Sequence, residues 1–147
     1  MTSIEQLRDQ AIDRFWETIP PVWNTVRTHI RSTATAQFDI TVEQFHVLRF
    51  VRRGSDSLSE LAAAKNISRP AMSQAVEVLV KKGLLTRVQS SKDRRYVDLT
   101  LTEAGNHLLD TVFKETRGWM KDRMSRLTAG ELETISQAME VMKKMLE

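Results

Sequence analysis

The sequence contains no cysteine, and it is poor in proline and glycine, with 3 and 5 residues among 147. The missing cysteine excludes disulfide bonds, thiolate metal ligands, thiolate nucleophiles and thiol-based redox switches. No apolar run reaches the roughly 18 residues that a membrane-spanning helix needs, and no signal-like segment opens the chain. These absences predict a soluble, cytoplasmic protein that does not act at a membrane.

Motifs of the common enzyme classes are missing too. The chain has no glycine-rich phosphate loop, no His-Glu-x-x-His, no nucleophile elbow and no recognisable acid–base pair. Its three histidines, His29, His46 and His107, fall on separate elements and lack the short spacing of a metal site. The chain is therefore expected not to be an enzyme and to use no metal or other cofactor.

The composition, 41% hydrophobic and 28% charged, is that of one globular domain that can bury its own core. The net charge is +3, but eight Lys and Arg against four Asp and Glu between Ser57 and Thr102 give that segment +4 and the remainder −1. A surface that faces phosphates concentrates basic residues in this way, because each neutralised phosphate adds affinity. A solvated face is the alternative.

Capping boxes mark the start of two N-terminal helices. In this motif, the N-cap side chain and the side chain three residues later each accept a hydrogen bond from the other's backbone amide. The boxes are Ser3–Gln6 and Thr41–Gln44, and the second helix is expected to end near Gly54. Pro20–Pro21 is expected to stop or kink the first helix, so residues 22–36 are predicted to form a separate segment.

A helix-turn-helix is predicted in the centre of the chain. Its first helix is short and follows a cap at Ser57 or Ser59. Asn66 suits the tight turn, because asparagine tolerates a left-handed backbone. Ser68 caps the second helix, which runs to about Lys82.

The second helix has an apolar and a polar side when its residues are projected at about 100° per residue. The apolar side runs from Ala71 to Leu79, with Val80 as the one misfit. The polar side carries an arginine and short hydrogen-bonding side chains, which can reach base edges in a major groove. The candidate DNA-contacting residues of this helix are Ser68, Arg69, Pro70, Ser73, Gln74 and Lys81. An ordinary amphipathic helix is the alternative.

A two-stranded ribbon is predicted after Gly83, which should end the helix. Residues 84–89 and 96–101 alternate between apolar and polar side chains, and the loop between them is charged. An arginine at such a tip can enter a narrow minor groove, and a nearby aspartate can hold its guanidinium. The candidate DNA-contacting residues of this wing are Ser90, Lys92, Asp93, Arg94 and Arg95. A polar hairpin turn is the alternative.

Five short motifs carry a family resemblance: 58–62 (Leu-Ser-Glu-Leu-Ala), Ser68–Arg69, 82–85 (Lys-Gly-Leu-Leu), Asp93–Arg95 and 99–105 (Leu-Thr-Leu-Thr-Glu-Ala-Gly). With them the chain resembles the MarR family of bacterial transcriptional regulators. The resemblance implies a mainly helical winged helix-turn-helix protein with a two-stranded β wing. It further implies that the arginine ending the Asp93–Arg95 motif enters the minor groove, oriented by the aspartate, and that the arginine between them meets phosphate. The paired prolines depart from the long first helix that the family often keeps.

The predicted organisation is a single domain over residues 1–147. Residues 1–37 and 103–147 form a helical dimerisation region, and residues 41–102 form the DNA-binding lobe. A capping box at Thr128–Glu131 opens the last helix, after a long one that begins at residue 102.

The last helix carries an apolar stripe with spacings of three and four residues, which is typical of a coiled-coil seam and hard for a thin hairpin to bury alone. The candidate dimer-interface residues are Ile4, Leu7, Ala11, Leu132, Ile135, Met139, Met142 and Leu146. A two-fold dimer would recognise a pseudo-palindromic site with half-sites about one helical turn, roughly 10 base pairs, apart. Packing within one monomer is the alternative.

The resemblance also implies a small-molecule effector, since family members commonly bind aromatic or phenolic anions between the dimerisation helices and the DNA-binding lobe. The residues that could line such a crevice are Trp16, Trp23, His29, Phe45, Arg49 and Phe113. Large apolar residues at helical spacing usually belong to the core, which is the preferred interpretation of most of these aromatics. Arg49 is the candidate anion partner, with an exposed helical arginine as the simpler interpretation.

The sequence thus predicts a homodimeric, DNA-binding regulator of transcription. The family resemblance further implies that the protein is a repressor and that a small ligand relieves the repression. Two alternatives stay open: a DNA-binding protein of the same fold without an effector, and a winged helix used for contact with another protein. The latter predicts an acidic or apolar helix face, which Arg69, Ser73 and Gln74 do not provide.

Overall fold

The computed structural model describes residues 1–54, 58–95 and 97–147. Within these ranges the protein is mainly helical with one antiparallel pair of strands, as predicted. The elements are α1 (Ile4–Phe38), α2 (Val42–Arg52), α3 (Leu58–Lys65), α4 (Arg69–Lys81), β1 (Leu85–Gln89), β2 (Val97–Leu101), α5 (Glu103–Met124), α6 (Ala129–Lys143) and a final 3-10 turn (Lys144–Leu146). The chain divides into two compact units, Met1–Phe113 and Lys114–Glu147.

All three predicted capping boxes are present. In each, the cap hydroxyl accepts from the amide three residues later, at 3.1–3.3 Å, and that residue's side chain accepts from the cap amide, at 2.8–3.0 Å. The boxes open α1, α2 and α6 at Ser3–Gln6, Thr41–Gln44 and Thr128–Glu131. Because these bonds satisfy amides that the helix leaves unpaired, they fix where each helix begins.

The first helix runs unbroken through Pro20–Pro21, so the predicted stop was wrong. A proline inside a helix leaves the carbonyl four residues earlier without its N–H donor. Those carbonyls belong to Trp16 and Glu17, on an exposed stretch of the helix where water can serve as donor. The helix is also anchored beyond the prolines, where Ile30 and Ala34 are buried in the core. Tertiary packing therefore outweighs the local preference to stop.

Both helices of the helix-turn-helix end in a left-handed residue, Asn66 after α3 (φ 51°) and Gly83 after α4 (φ 72°). In each case the following amide donates to the carbonyl five residues back at 3.0 Å, and the left-handed residue donates three residues back. This pair of bonds satisfies the last helical carbonyls and sets the direction in which the chain leaves. Both ends are where the sequence predicts them.

The core of the first unit lies between α2, α4, the sheet and the start of α5. Its fully buried large side chains include Phe45, Leu48, Leu61, Met72, Leu79, Leu85, Leu108 and Leu109. Val80, the misfit of the projection, is half-buried and packs against this core, whereas Ala71 is exposed. The buried side of α4 is therefore rotated slightly toward Val80, which leaves Ala71 beside a cavity.

The two strands pair antiparallel, with Leu85 opposite Leu101 and Gln89 opposite Val97. In β2, Leu99 is buried between exposed neighbours, which confirms the predicted alternation there. In β1, by contrast, only Leu85 is buried and Val88 is 63% exposed, so the alternation predicted for that strand was wrong. Tyr96, predicted to open the second strand, and Ser57, one of two predicted caps, lie outside the described residues.

A close backbone contact fixes the start of α5. Thr102 Oγ1 donates to the carbonyl of Gly83 at 2.6 Å and accepts from the amide of Gly105 at 3.0 Å. A Cβ added to Gly105 would lie 2.2 Å from the carbonyl oxygen of Leu84. Glycine is therefore required where α5 meets the turn that follows α4.

In the second unit, no residue of α6 is buried. Leu132, Met139 and Leu146 of the predicted stripe are 40%, 46% and 88% exposed, while Ile135 and Met142 are half-buried. Among the helices of the described ranges, none is both long and apolar enough to cross a membrane.

Candidate nucleic-acid interface

The exposed N-terminus of α4 forms the first part of the candidate interface. Ser68 Oγ accepts from the amide of Ala71 at 3.3 Å and caps the helix, and Pro70 lies in the first turn, where its missing N–H costs nothing. Arg69 and Gln74 are exposed, as predicted, whereas Ser73 is half-buried. The helix therefore presents an arginine and a glutamine at the end that a groove would receive.

A charged fork at the wing tip forms the second part. The side chain of Arg95 donates to both carboxylate oxygens of Asp93, with Nη2–Oδ2 at 2.8 Å, Nε–Oδ1 at 3.1 Å and Nε–Oδ2 at 3.2 Å. The Arg95 amide also donates to Asp93 Oδ1 at 3.0 Å. The Arg95 side chain is nevertheless 84% exposed. The carboxylate thus orients the guanidinium and leaves it accessible.

The fork keeps both of its members charged. The side-chain hydrogen bonds from Arg95, and then its backbone amide, lower the pKa of Asp93, while the same side-chain bonds raise the pKa of Arg95. A carboxylate that accepts several N–H groups is stabilised in its ionised form.

Further bonds shape the wing loop. Gln89 Nε2 donates to the carbonyl of Arg94 at 2.6 Å, and the Lys92 amide donates to Ser90 Oγ at 3.3 Å. The side chains of Lys92 and Arg94 are exposed, and Ser90 is half-buried. Gln89 was missed by the sequence reasoning; its signal is an amide side chain at the last strand position before the loop.

The turn between α3 and α4 adds a shallow groove of about 480 Å³, lined by Ser59, Ala62, Ala63, Asn66, Ile67, Ser68 and Arg69. Ser59, one of the two predicted caps, lies inside α3 instead, and Asn66 was predicted only as a turn residue. Their polar side chains also contribute to the surface beside Arg69.

A separate cavity of about 480 Å³ lies within the first unit, between α1, α2, α3 and α4. Its lining residues are Trp23, Arg27, Glu43, His46, Val47, Lys65, Ile67, Ala71, Met72 and Ala75. Arg27 Nη2 is 3.5 Å from Glu43 Oε1, a long ion pair. With Arg27 and Lys65 against one carboxylate, the lining has a positive balance.

The cavity environment shifts two pKa values. Burial, and then the charges of Lys65, Arg49 and Arg27, lower the pKa of His46 to about 4, while Glu43 acts in the opposite direction. Burial and neighbouring arginines also lower the pKa of Lys65. His46 is therefore neutral near pH 7, and an anion in the cavity would relieve the repulsion among the cations.

Of the six residues predicted to line a ligand crevice, three lie together, because the centre of the Phe113 ring is 5.7 Å from that of Phe45 and also faces Arg49. Only Trp23 lines this cavity; Trp16 is 68% exposed on α1, and Phe45 is fully buried. Arg49 is half-buried rather than exposed, with its guanidinium carbon 5.2 Å from the centre of the Phe113 ring. The interpretation of these aromatics as core holds for Phe45 but not for the exposed tryptophans.

His29, the sixth of those residues, is half-buried on α1, where its ring lies 3.5 Å from Thr33 Oγ1. Over residues 1–54, 58–95 and 97–147, no group of three or more His, Asp or Glu side chains is placed to hold a metal ion.

Comparison with known proteins finds similarity to one family. A model of the MarR family matches residues 38–95. The HTH-type transcriptional repressor MdtR of Bacillus subtilis (strain 168) is 31% identical over 94 residues, which are 63% of this chain and 61% of MdtR. The crystal structure of apo MarR from E. coli is 25% identical, with a TM-score of 0.72, over 89% of this chain and 95% of that one. The chain is thus similar to proteins of the MarR family, and the family model matches its central segment.

The matched MarR segment begins at the end of α1 and ends at the wing fork, so it contains every candidate DNA-contacting residue. The fold is also that of FabT from Streptococcus pneumoniae, solved in complex with DNA, at 17% identity and a TM-score of 0.72 over 92% of this chain and 96% of FabT. The matches cover 47–61% of the length of the first three curated relatives.

Proposed function

We propose that this protein binds duplex DNA as a homodimer and regulates transcription, without catalysing a reaction. The observation that carries the proposal is the Asp93–Arg95 fork, an oriented and exposed guanidinium at the tip of a two-stranded wing. An arginine held in this way suits a narrow minor groove, where the negative potential is enhanced.

In the proposed complex, α4 enters a major groove with its N-terminus. Arg69 and Gln74, both exposed, contact base edges, and the half-buried Ser73 contributes less. Arg94 and Lys92 on the wing contact phosphates, which position the lobe without reading sequence. The complex of FabT with DNA supports the compatibility of this fold with a duplex.

The proposed dimer uses the apolar residues that the structure leaves exposed on α1 and α6. Ile4 and Leu7 are 69% and 53% exposed, and Leu132 and Met139 on α6 are 40% and 46% exposed. Two-fold symmetry would pair two recognition helices with a pseudo-palindromic operator. The name of MdtR, a transcriptional repressor, supports repression as the direction of control.

The proposed effector is a small aromatic or phenolic anion bound in the cavity next to α4. The cations Arg27 and Lys65 favour a carboxylate or phenolate, and Trp23 offers a flat apolar wall. Because Ala71 and Ala75 of α4 line the same cavity, a ligand bound there would contact α4, the helix proposed to enter the major groove. Release from DNA follows if the ligand prefers the unbound arrangement of α4.

The test is a fluorescence-anisotropy titration against the DNA upstream of the protein's own gene and a scrambled duplex, at several salt concentrations. We expect at least a hundredfold preference for the first duplex. Arg95→Ala should weaken binding to both duplexes and reduce the salt slope by about one. Arg126→Ala, an exposed arginine in the second unit, is the charge-matched control.

If Arg95→Ala binds as tightly as the wild type, with an unchanged salt slope, the wing assignment is wrong. If the wild type shows no preference between the upstream duplex and a panel of other promoter fragments, the proposal of sequence-specific regulation fails.

A further inference from the structure

The C-terminal ends of α1 and α4 are joined by one side chain. Lys82, the C-cap residue of α4, donates from Nζ to the backbone carbonyl of Asp39, the C-cap residue of α1. Its Nζ also lies 3.7 Å from Asp39 Oδ2. Asp39 has a left-handed backbone (φ 51°), which ends α1 and points its carbonyl away from the helix ladder.

This contact is partly sheltered from solvent. The Lys82 side chain is 31% exposed, whereas that of Asp39 is 100% exposed. The main acceptor is therefore the backbone carbonyl, a fixed group, and the mobile carboxylate adds a weaker, solvated attraction. A substitution at Asp39 that keeps a left-handed backbone should preserve the contact.

Away from this joint, the cavity separates the same two helices. Trp23 and Arg27 of α1 line one wall, and Ala71 and Ala75 from the N-terminal half of α4 line another. The two helices are thus tied at their C-terminal ends and open toward the end of α4 that carries Arg69.

When a helix is held at one end, a change in its angle moves the other end most. The 13 residues of α4 span about 20 Å at about 1.5 Å per residue. A rotation of about 10° around the Lys82 end would move Arg69 by about 3 Å, close to the rise of about 3.4 Å per base pair along the DNA axis. Met72 and Leu79 pack α4 against the core, and the joint adds a constraint at its C-terminal end on the angle at which Arg69 is presented.

We propose that Lys82 is a positioning residue, which fixes the C-terminal end of α4 to the end of α1 and so sets the angle at which α4 meets DNA. This inference rests on the proposed DNA-binding function. Its neighbour Lys81 differs: the Lys81 side chain is 76% exposed, and Nζ lies 3.6 Å from Glu77 Oε1 on the same helix. Because the pair of Lys81 with Glu77 is solvated, Lys81 can exchange it for a phosphate, whereas the Lys82 ammonium is held by the Asp39 carbonyl.

The test compares Lys82→Met, which keeps the aliphatic stem, with Lys81→Met and Lys82→Arg, using the upstream and scrambled duplexes over a range of salt. Lys82→Met should bind the upstream duplex at least tenfold more weakly, with unchanged affinity for the scrambled duplex and an unchanged salt slope. Lys81→Met should instead lower both affinities and reduce the slope by about one, the signature of a lost phosphate contact. Lys82→Arg, which can still donate to the carbonyl, should bind within about threefold of the wild type.

Amide hydrogen exchange without DNA gives an independent readout. The Asp39 amide, bonded to the carbonyl of Thr35 at 3.2 Å, should exchange at least tenfold faster in Lys82→Met and unchanged in Lys81→Met. Unchanged exchange in Lys82→Met, or a loss of salt slope equal to that of Lys81→Met, would overturn the positioning role. If the wild type binds no duplex specifically, the proposed function fails, and the exchange rates still decide whether the joint exists.

Discussion

At the scale of single residues, the wing shows how a short spacing produces a functional group. Asp93 and Arg95 are two positions apart, close enough for the guanidinium to reach both carboxylate oxygens and for the Arg95 amide to donate to one of them. Because all these bonds are local, the motif identifies the fork without knowledge of the tertiary structure. The exposure of Arg95 follows from the position of the fork at a loop tip.

His46 gives a prediction at the same scale. In the folded protein, burial and the charges of Lys65, Arg49 and Arg27 lower its pKa to about 4, whereas in the unfolded chain it titrates near 6.5. The unfolded state therefore binds more protons between these values, so stability falls as the pH drops from about 6.5 toward about 4. We expect a loss of about 1–2 kcal/mol, below the full shift because the ring is partly solvated.

Urea unfolding at pH 7 and at pH 4.5 measures this term. His46→Gln should lose less stability between the two pH values than the wild type. His107→Gln, which removes an exposed histidine on α5, should follow the wild type. Equal pH dependence in all three proteins would mean that His46 is solvated and titrates normally.

At the scale of elements, the sequence predicted features that depend on neighbouring residues but not those that depend on tertiary packing. The capping boxes and the left-handed ends at Asn66 and Gly83 depend on residues within one turn, and the structure confirms them. Whether α1 continues through Pro20–Pro21 depends on how the helix packs beyond the prolines, and the local pattern holds no information on that packing. The cavity beside α4 is lined by residues of four elements at once, which no local pattern contains, and it includes Trp23 of the six residues predicted to line a crevice.

The joint between α5 and the turn after α4 carries a prediction for an element boundary. Gly105→Ala would place a methyl group 2.2 Å from the Leu84 carbonyl, so the start of α5 must shift. We expect a destabilisation of about 1–3 kcal/mol, the usual cost of overpacking. Gly118→Ala on the same helix meets no atom within 4 Å and should instead stabilise by up to about 1 kcal/mol.

Thermal or urea unfolding of the two variants checks this contrast. Because both changes are the same substitution in the same helix, helix propensity cancels from the comparison. Stabilisation by Gly105→Ala would show that α5 does not approach Leu84 so closely.

At the scale of the whole molecule, the exposed apolar residues of α6 need a partner surface that would cover them. A helix whose apolar stripe is only partly buried lacks much of the stability that burying the stripe would supply. On α6 the stripe includes Leu132 and Met139, which are 40% and 46% exposed. A second copy of the chain is the occupant that the proposed function requires.

Met139→Glu therefore tests the dimer. A charge buried in an apolar interface costs several kcal/mol, so the variant should shift from dimer to monomer at micromolar concentration in light scattering coupled to size-exclusion chromatography. The same variant should lose specific DNA binding, because one recognition helix alone forfeits half of the base contacts.

Val141→Glu supplies the matched control on the same helix. Val141 is 62% exposed and lies two residues from Met139, about 200° around the helix axis and so off the stripe. It adds the same charge to the same helix, so any effect of net charge appears equally in both variants. A dimer that survives Val141→Glu and dissociates with Met139→Glu locates the interface on the stripe, whereas equal behaviour of the two variants would place it elsewhere.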